Sequence, residues 1–479
     1  MSDLLIAVGG SGQHTALAVA RLARIGALTA PRAFVIDADR SALAASLESF
    51  GGTASAGAPH PFPGGATVVP PFDIDRGTTQ FRSLFVDQDH PVEEELFELF
   101  YDEEAGGSGS TGRAGLDVGR GMFGNPAVGS AVFASSRNKI MKPLFEVARG
   151  ANRIFIVGSF LGGTGAGIIH QLVKLVNREV DAKVRASMFG AFLLRWFSLP
   201  PVQGLTVTPE TLLASEGHGL QYFFKHTKFD LAASLLVGAP DDPGACPLLA
   251  LRPANPGNAE TVNIFPLLAA YGLEMMPRKT DQQQGSKTYS LAHDDADPQG
   301  LWILKQEWNK PENPPSRSAT LAARWQEAIL LQQLFASFLD RRSDFVGFDY
   351  TGSSSTWKGL MKEEAKKHNV KLDLYAQRVL EALVHRGRQL YFATSWLETI
   401  FGDLDLSVPV GNSADPMTKK LYADWRHRRW NHPLALNEVL VAAYQPVNDK
   451  KVELDPKLPP DYAMAEAIER GILYVLRKS

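Results

Sequence analysis

Apolar positions in the first half of the chain fall into short runs that alternate with longer amphipathic stretches. Leu4–Val8 (LLIAV) is a buried-type strand ending in glycines. Gln13–Gly26 follows with helical spacing, placing Ala16, Val19, Ala20 and Leu22 on one side. Ala33–Ile36 predicts a second strand, closed by Asp37-Ala38-Asp39, and Thr67–Val69 a short third. Arg153–Val157 (RIFIV) predicts another, followed by a helix over Ile168–Val180 with Ile168, Ile169, Leu172, Val173 and Val176 on one face. Met188–Leu194 and Leu235–Val237 supply further strands. Strands alternating with helices in this way predict an α/β fold, a mostly parallel sheet covered on both faces.

The pattern changes after about residue 276. Residues 277–300 are polar and turn-rich, and Asn309–Ser318 (NKPENPPSRS) carries three prolines, so 277–318 reads as a connecting region. Beyond it the chain reads as mainly helical. Leu321, Trp325, Ala328, Leu331, Phe335 and Phe338 step by three and four and draw one stripe. Leu372–Leu397 and Tyr462–Leu476 are further helices. The expected organisation is a nucleotide-binding domain over 1–276, a connection over 277–318, and a helical partner or assembly domain over 319–479.

Composition narrows the class. Of 479 residues, 44% are apolar and 21% charged, an ordinary globular balance that excludes disordered and collagen-like chains. Lys plus Arg is 49 and Asp plus Glu is 52, so the net charge is −3, with no basic surplus pointing to nucleic acid. The one cysteine, Cys246, allows no intrachain disulfide, which fits a reducing compartment. Met1-Ser2-Asp3 lacks the basic start of a signal peptide, and no apolar run approaches the ~20 residues that span a bilayer. A cytoplasmic protein without a membrane span is the expectation.

Candidate chemistry sits in glycine-rich turns. Gly9-Gly10-Ser11-Gly12-Gln13-His14 lies between a strand and a helix, where backbone N–H groups at a helix start can face an anion. With the acidic strand end at Asp37, this loop alone is also compatible with a dinucleotide-binding unit. Gly162-Gly163-Thr164-Gly165-Ala166-Gly167 repeats the arrangement after a later strand. Four glycines in six residues carry a large entropic cost, and a dinucleotide fold has no use for a second such loop at this place. Two loops in one parallel sheet imply a ligand with several phosphates. In Gly121–Gly129, Asn125 suits a helix N-cap and Pro126 the first helical position.

These loops resemble those of the tubulin/FtsZ superfamily of GTP-binding proteins. Gly9–His14 matches the loop after the family's first strand, and Asp37-Ala38-Asp39 the turn after its second. Gly124-Asn125-Pro126-Ala127-Val128-Gly129 matches its γ-phosphate-sensing loop with one residue dropped. Leu161–Gly167 matches its signature loop, with Leu161 and Ala166 as substitutions. The resemblance covers roughly residues 1–240 and implies a divergent bacterial tubulin-like protein that binds GTP or GDP with Mg²⁺. It also implies self-association into filaments, with slow GTP hydrolysis completed between subunits.

The chain departs from the family at several points. His14 stands where the family has a guanine-contacting Asn or Gln. No ribose-binding Glu and Arg pair is visible in Ser198–Pro209; Glu210 and Glu216 on the next helix are candidate substitutes but read first as exposed helix carboxylates. No Asn-x-Asp-x-x-Asp/Glu loop is recognisable. Asn258-Ala259-Glu260 begins a helix with Leu267, Leu268 and Leu273 that is a candidate for the central helix. Asp281 and Asp294-Asp295 match by position only, so no catalytic residue is assigned. Eleven histidines show no metal-ligand spacing, and no Walker lysine follows either loop. Lys419–His432 interleaves bases and aromatics that could stack on single-stranded nucleic acid, but with no basic surplus it reads first as a solvated face or a protein-contact patch. Glu93–Glu104 reads as a solvated helix face. An NAD(P)-binding Rossmann oxidoreductase and a non-hydrolysing GTP-sensing module remain the alternatives.

Overall fold

A computed structural model describes residues 2–38, 42–50, 59–72, 78–85, 117–120, 122, 124–198, 209–238, 249–250, 264–280, 287–291, 317–340, 357–401, 433–449 and 451–477. The apolar runs become strands β1 (Ser2–Val8), β2 (Arg32–Ile36), β3 (Ala66–Val69), β4 (Ala151–Ser159) and β5 (Met188–Leu194). After the two-residue β6 (Phe197–Ser198) come β7 (Ala233–Gly238), the equally short β8 (Leu249–Ala250) and β9 (Lys287–Leu291). Seven of them form one sheet in the order β3-β2-β1-β4-β5-β7-β9, and every neighbouring pair is parallel. β6 and β8 pair separately, also in parallel.

The helices in chain order are α1 (Gly9–Arg24), α2 (Ala42–Ser49), α3 (Phe81–Phe85), α4 (Pro126–Ala148) and α5 (Gly163–Glu179). They continue with α6 (Ala182–Arg185), α7 (Pro209–Lys225), α8 (Ile264–Thr280), α9 (Arg317–Asp340), α10 (Trp357–Lys367), α11 (Leu372–Phe401), α12 (Pro433–Asn448) and α13 (Pro460–Arg477). Parallel strands need both faces covered, because their crossovers lay helices on each side. Leu4, Ile6 and Val8 join Ile140 and Leu144 of α4 and Ile168, Leu172 and Val176 of α5 in one core. Leu5 and Ala7 point to the other face and are equally buried. There α1 lies so close that a Cβ on Gly12 would stand 2.9 Å from the Ala7 carbonyl carbon and the Val157 oxygen.

The chain divides into two compact units. The first comprises residues 1–20, 28–48 and 62–300 and contains the sheet; the second comprises 21–27, 49–61 and 301–479. The sequence places Lys287–Leu291 in a connecting region, whereas it forms β9, the edge strand beside β7. Its Lys-Thr-Tyr-Ser-Leu composition lacks the apolar run that marks the buried strands, as suits an edge. α4 is 23 residues long, and the glycine pattern ahead of it showed only its start. In the second unit, α9 buries more than the single stripe. Gln326, Glu327, Ile329, Leu330 and Leu334 are buried alongside Leu321, Trp325, Ala328, Leu331 and Phe335, so the helix is enclosed on most sides. Phe338 has no described side chain, and Glu93–Glu104, Asn258, Asp281, Asp294, Asp295 and Lys419–His432 lie outside the described residues. No helix among the described residues is long and apolar enough to cross a membrane.

Candidate functional site

Chain order reverses between β1 and β4. β2 and β3 extend the sheet one way from β1, and β5, β7 and β9 extend it the other way from β4. In open parallel sheets, the carboxyl ends of strands at such a switch point form a ready crevice for ligands. Both glycine loops emerge there, one from β1 into α1 and one from β4 into α5. Gly9 opens α1 at φ +71°, a left-handed conformation that other residues adopt only with strain.

The second glycine segment touches both of the others. A Cβ on Gly9 would lie 3.0 Å from the Gly165 nitrogen and 3.3 Å from the Thr164 Cβ. One on Gly129 would meet the Gly163 carbonyl at 2.4 Å, and one on Gly163 the Asn125 nitrogen at 2.8 Å. Gly124 turns at φ +75°, and Asn125 then caps α4, its side-chain oxygen accepting from the Val128 N–H at 3.3 Å. Pro126 occupies the first turn as the sequence predicts.

The glycines divide by what they face. Gly12, Gly163, Gly165 and Gly167 press against protein backbone; a Cβ on Gly165 would meet the Ser159 carbonyl at 2.4 Å, and one on Gly167 the Pro126 carbonyl at 2.5 Å. At these four a side chain would collide with main chain. Gly10 and Gly162 face open space, with only an Asp37 carboxylate oxygen 4.0 Å from the first and nothing within 4 Å of the second. Gly162 is also the N-cap of α5, in extended geometry, with no side-chain acceptor for the helix's leading N–H groups. Those donors stay available to an anion.

The remaining predicted residues are mostly buried. Gln13 is 1% exposed and its amide donates to the Asp37 carboxylate. Ser11 accepts from the Trp196 indole N–H at 3.0 Å, and the His14 ring meets Trp196 edge-on with centroids 5.2 Å apart. Thr164 is buried at the start of α5. Ala166 faces an open groove of about 410 Å³ lined also by Ser130, His170, Gln171, Lys174 and Tyr222. Asp39 lies outside the described residues.

Trp196 was missed by sequence reasoning, together with Arg195 and Glu216 as a pair. Arg195 and Trp196 directly follow β5, ahead of the Ser198–Pro209 window searched for a Glu and Arg pair. Arg195 has φ +28°, and its backbone N–H donates to the Glu216 carboxylate at 2.9 Å. Burial pushes the Glu216 pKa up, while this hydrogen bond and the Arg195 charge pull it down. Glu216 is therefore a buried brace for the turn, and Glu210 is exposed. The signal was present in Arg-Trp at a strand end. A strained non-glycine turn is invisible to pattern reading.

The arrangement fits a phosphate-bearing ligand: uncapped N–H groups at α5, two glycines facing open space, and the partly exposed Arg195 after the neighbouring strand. Among the described residues, no group of three His, Cys, Asp or Glu could hold a metal ion. No family model and no curated protein matches the chain. Among solved structures it is similar to CetZ2 from Haloferax volcanii, a GTPgS-bound protofilament, at 18% identity and a TM-score of 0.32. That match covers 60% of this chain and 64% of the CetZ2 chain.

Proposed function

We propose that this chain is a tubulin/FtsZ-like GTP-binding protein whose nucleotide gates self-association. The observation that carries the reading is the meeting of two glycine-opened helices at the switch point, Gly9 against Gly165, with the start of α5 left uncapped. The phosphates rest on the α5 N–H groups beside Gly10 and Gly162, which have the room for close approach. Arg195 directly follows β5 and is partly exposed, so its charge is available to the phosphates. The Gly124–Asn125 turn touches Gly163, so a third phosphate has a loop to order. A nucleotide-bound Mg²⁺ would be held chiefly by phosphate oxygens and water, which suits a site with few protein carboxylates.

Hydrolysis also requires a positioned water and a group to orient it. None is assigned within one chain, so turnover is slow and rises with protein concentration as subunits complete each other's sites. The helical half supplies surfaces for a protein partner. The strand order and Asp37 at the end of β2 also suit a dinucleotide. Against that reading, Asp37 is 3% exposed and engaged by Gln13. Thermal-shift titration with GTP, GDP, ATP and NAD separates the two, because only a ligand of the native state raises stability by mass action. Stabilisation by GTP and GDP is expected; stabilisation by NAD alone overturns the proposal.

A further inference from the structure

The second unit holds a cavity of about 400 Å³ bordered by the last turn of α1, α9, α11 and α13. A buried ion cluster forms part of its wall. Arg24 donates from Nη1 and Nη2 to the two Glu469 oxygens at 2.7 and 3.0 Å, and Arg386 donates from Nε to Glu469 Oε2 at 2.5 Å. Beside it, Arg324 and Arg477 share Glu327. Each carboxylate thus serves two guanidiniums.

That sharing leaves donors uncommitted. Arg386 is 9% exposed, yet its Nη groups have no hydrogen-bond partner among the described residues. Arg470, exposed and one residue after Glu469, lines the same cavity and has no partner among them either. The Arg386 Nη atoms are not fully enclosed: Arg386 lines the cavity, so the uncommitted part of its fork opens into it. Glu466 and Asp455 also line the cavity, and Glu466 has no hydrogen-bond partner among the described residues. The lining carries four arginines (Arg24, Arg386, Arg470, Arg477) and four carboxylates (Glu327, Asp455, Glu466, Glu469), so a bare anion gains nothing from net charge.

We propose that this cavity binds a small hydroxyl-bearing oxyanion, a phosphate ester or a carboxylate. Its anionic end sits on the forks of Arg386 and Arg470, and its hydroxyl groups donate to Glu466 and Asp455. Guanidinium forks match the paired oxygens of either anion, and the volume suits a ligand of metabolite size. The site is independent of the glycine loops.

The test is isothermal titration of the full chain with glycerol 3-phosphate, glycerate and glycerol, which share a skeleton and differ in the anion. Saturable binding of at least one oxyanion, and none of glycerol, is expected; which oxyanion binds identifies the chemistry. Arg470→Ala should weaken that binding by about tenfold or more without moving the ligand-free melting temperature, since its side chain is exposed and unpaired. Arg386→Lys, in a preparation with native circular dichroism, should weaken it similarly by removing the fork. A variant with the glycine-loop site blocked, Gly162→Asp, should bind as wild type. No saturation by either oxyanion up to about 10 mM overturns the proposal. So does equal binding of glycerol, wild-type affinity in Arg470→Ala, or loss of binding in Gly162→Asp.

Discussion

The two units bury different things. The first packs apolar strands between helices and keeps its chemistry at the strand ends, where glycines open backbone to solvent. The second places charge inside: Arg24, Arg386 and Glu469 form one cluster, and Arg21 is 6% exposed over the rings of Phe392 and Trp396 at 4.4 and 5.1 Å. Burial lowers the Arg21 pKa to about 9. The contrast teaches where each unit is fragile. The first fails when a side chain is added at a glycine, and the second when one is removed from an ion cluster.

The largest effect is expected at Glu469. Its carboxylate accepts from two buried arginines, so Glu469→Ala leaves both positive charges without their shared partner. A loss of ~3–5 kcal/mol is expected, measured by urea denaturation. A loss below about 1 kcal/mol would show that solvent compensates the arginines. The converse change in the first unit is Gly165→Ala, whose Cβ would meet the Ser159 carbonyl at 2.4 Å. Overpacking against backbone should cost ~1–3 kcal/mol. Gly10→Ala, facing open space, should stay within about 0.5 kcal/mol of wild type in the same assay.

Acid separates the units further. Burial lowers the His170 pKa to about 4, helped by Lys174; its ring stacks on Phe160 and its Nδ1 meets Thr227 at 2.9 Å. The folded pKa lies below the ordinary 6.5, so the unfolded chain binds the proton more readily and stability falls as pH drops from 6.5 to about 4. About 2 kcal/mol is at stake after allowing for partial exposure. At Glu469, burial alone would raise the pKa, but Arg24 and Arg386 outweigh it and hold it at about 2. Its contribution is complete above pH 4.5 and is lost toward pH 2. Hydrogen exchange between pH 7 and 3 should therefore show protection falling first around α5 and later around α13. The reverse order would contradict these environments.

Much of the first unit was legible because its strands are apolar runs and its loops are glycine clusters. β1, β2, β3, β4, β5 and β7 all appear where such runs stand, and Asn125 caps α4 as its position implies. β9 was illegible, since Lys-Thr-Tyr-Ser-Leu contains no apolar run to stand out. The sequence located the glycines but could not sort them. Whether a Cβ at Gly165 or Gly162 meets backbone or open space depends on how closely neighbouring segments approach. The same limit hid Trp196, which reaches Ser11 across 185 positions of sequence. The buried cluster of Arg24, Arg386 and Glu469 spans 445 positions and leaves no local pattern at all.

The central claim is that the uncapped start of α5 holds phosphate, and Gly162→Asp tests it most directly. Gly162 has extended backbone geometry open to any residue, and a Cβ there meets nothing within 4 Å. Aspartate at this N-cap supplies its own acceptor to the helix donors and should raise ligand-free stability by a few tenths of a kcal/mol. The same carboxylate occupies the anion's place and repels it. Titration of GTP into wild type and variant, each shown folded by its melting curve, is the measurement. The account predicts saturable binding to wild type and a loss of about a hundredfold or more in Gly162→Asp, with the melting temperature unchanged or slightly raised. Wild-type GTP affinity in a folded Gly162→Asp protein would contradict it.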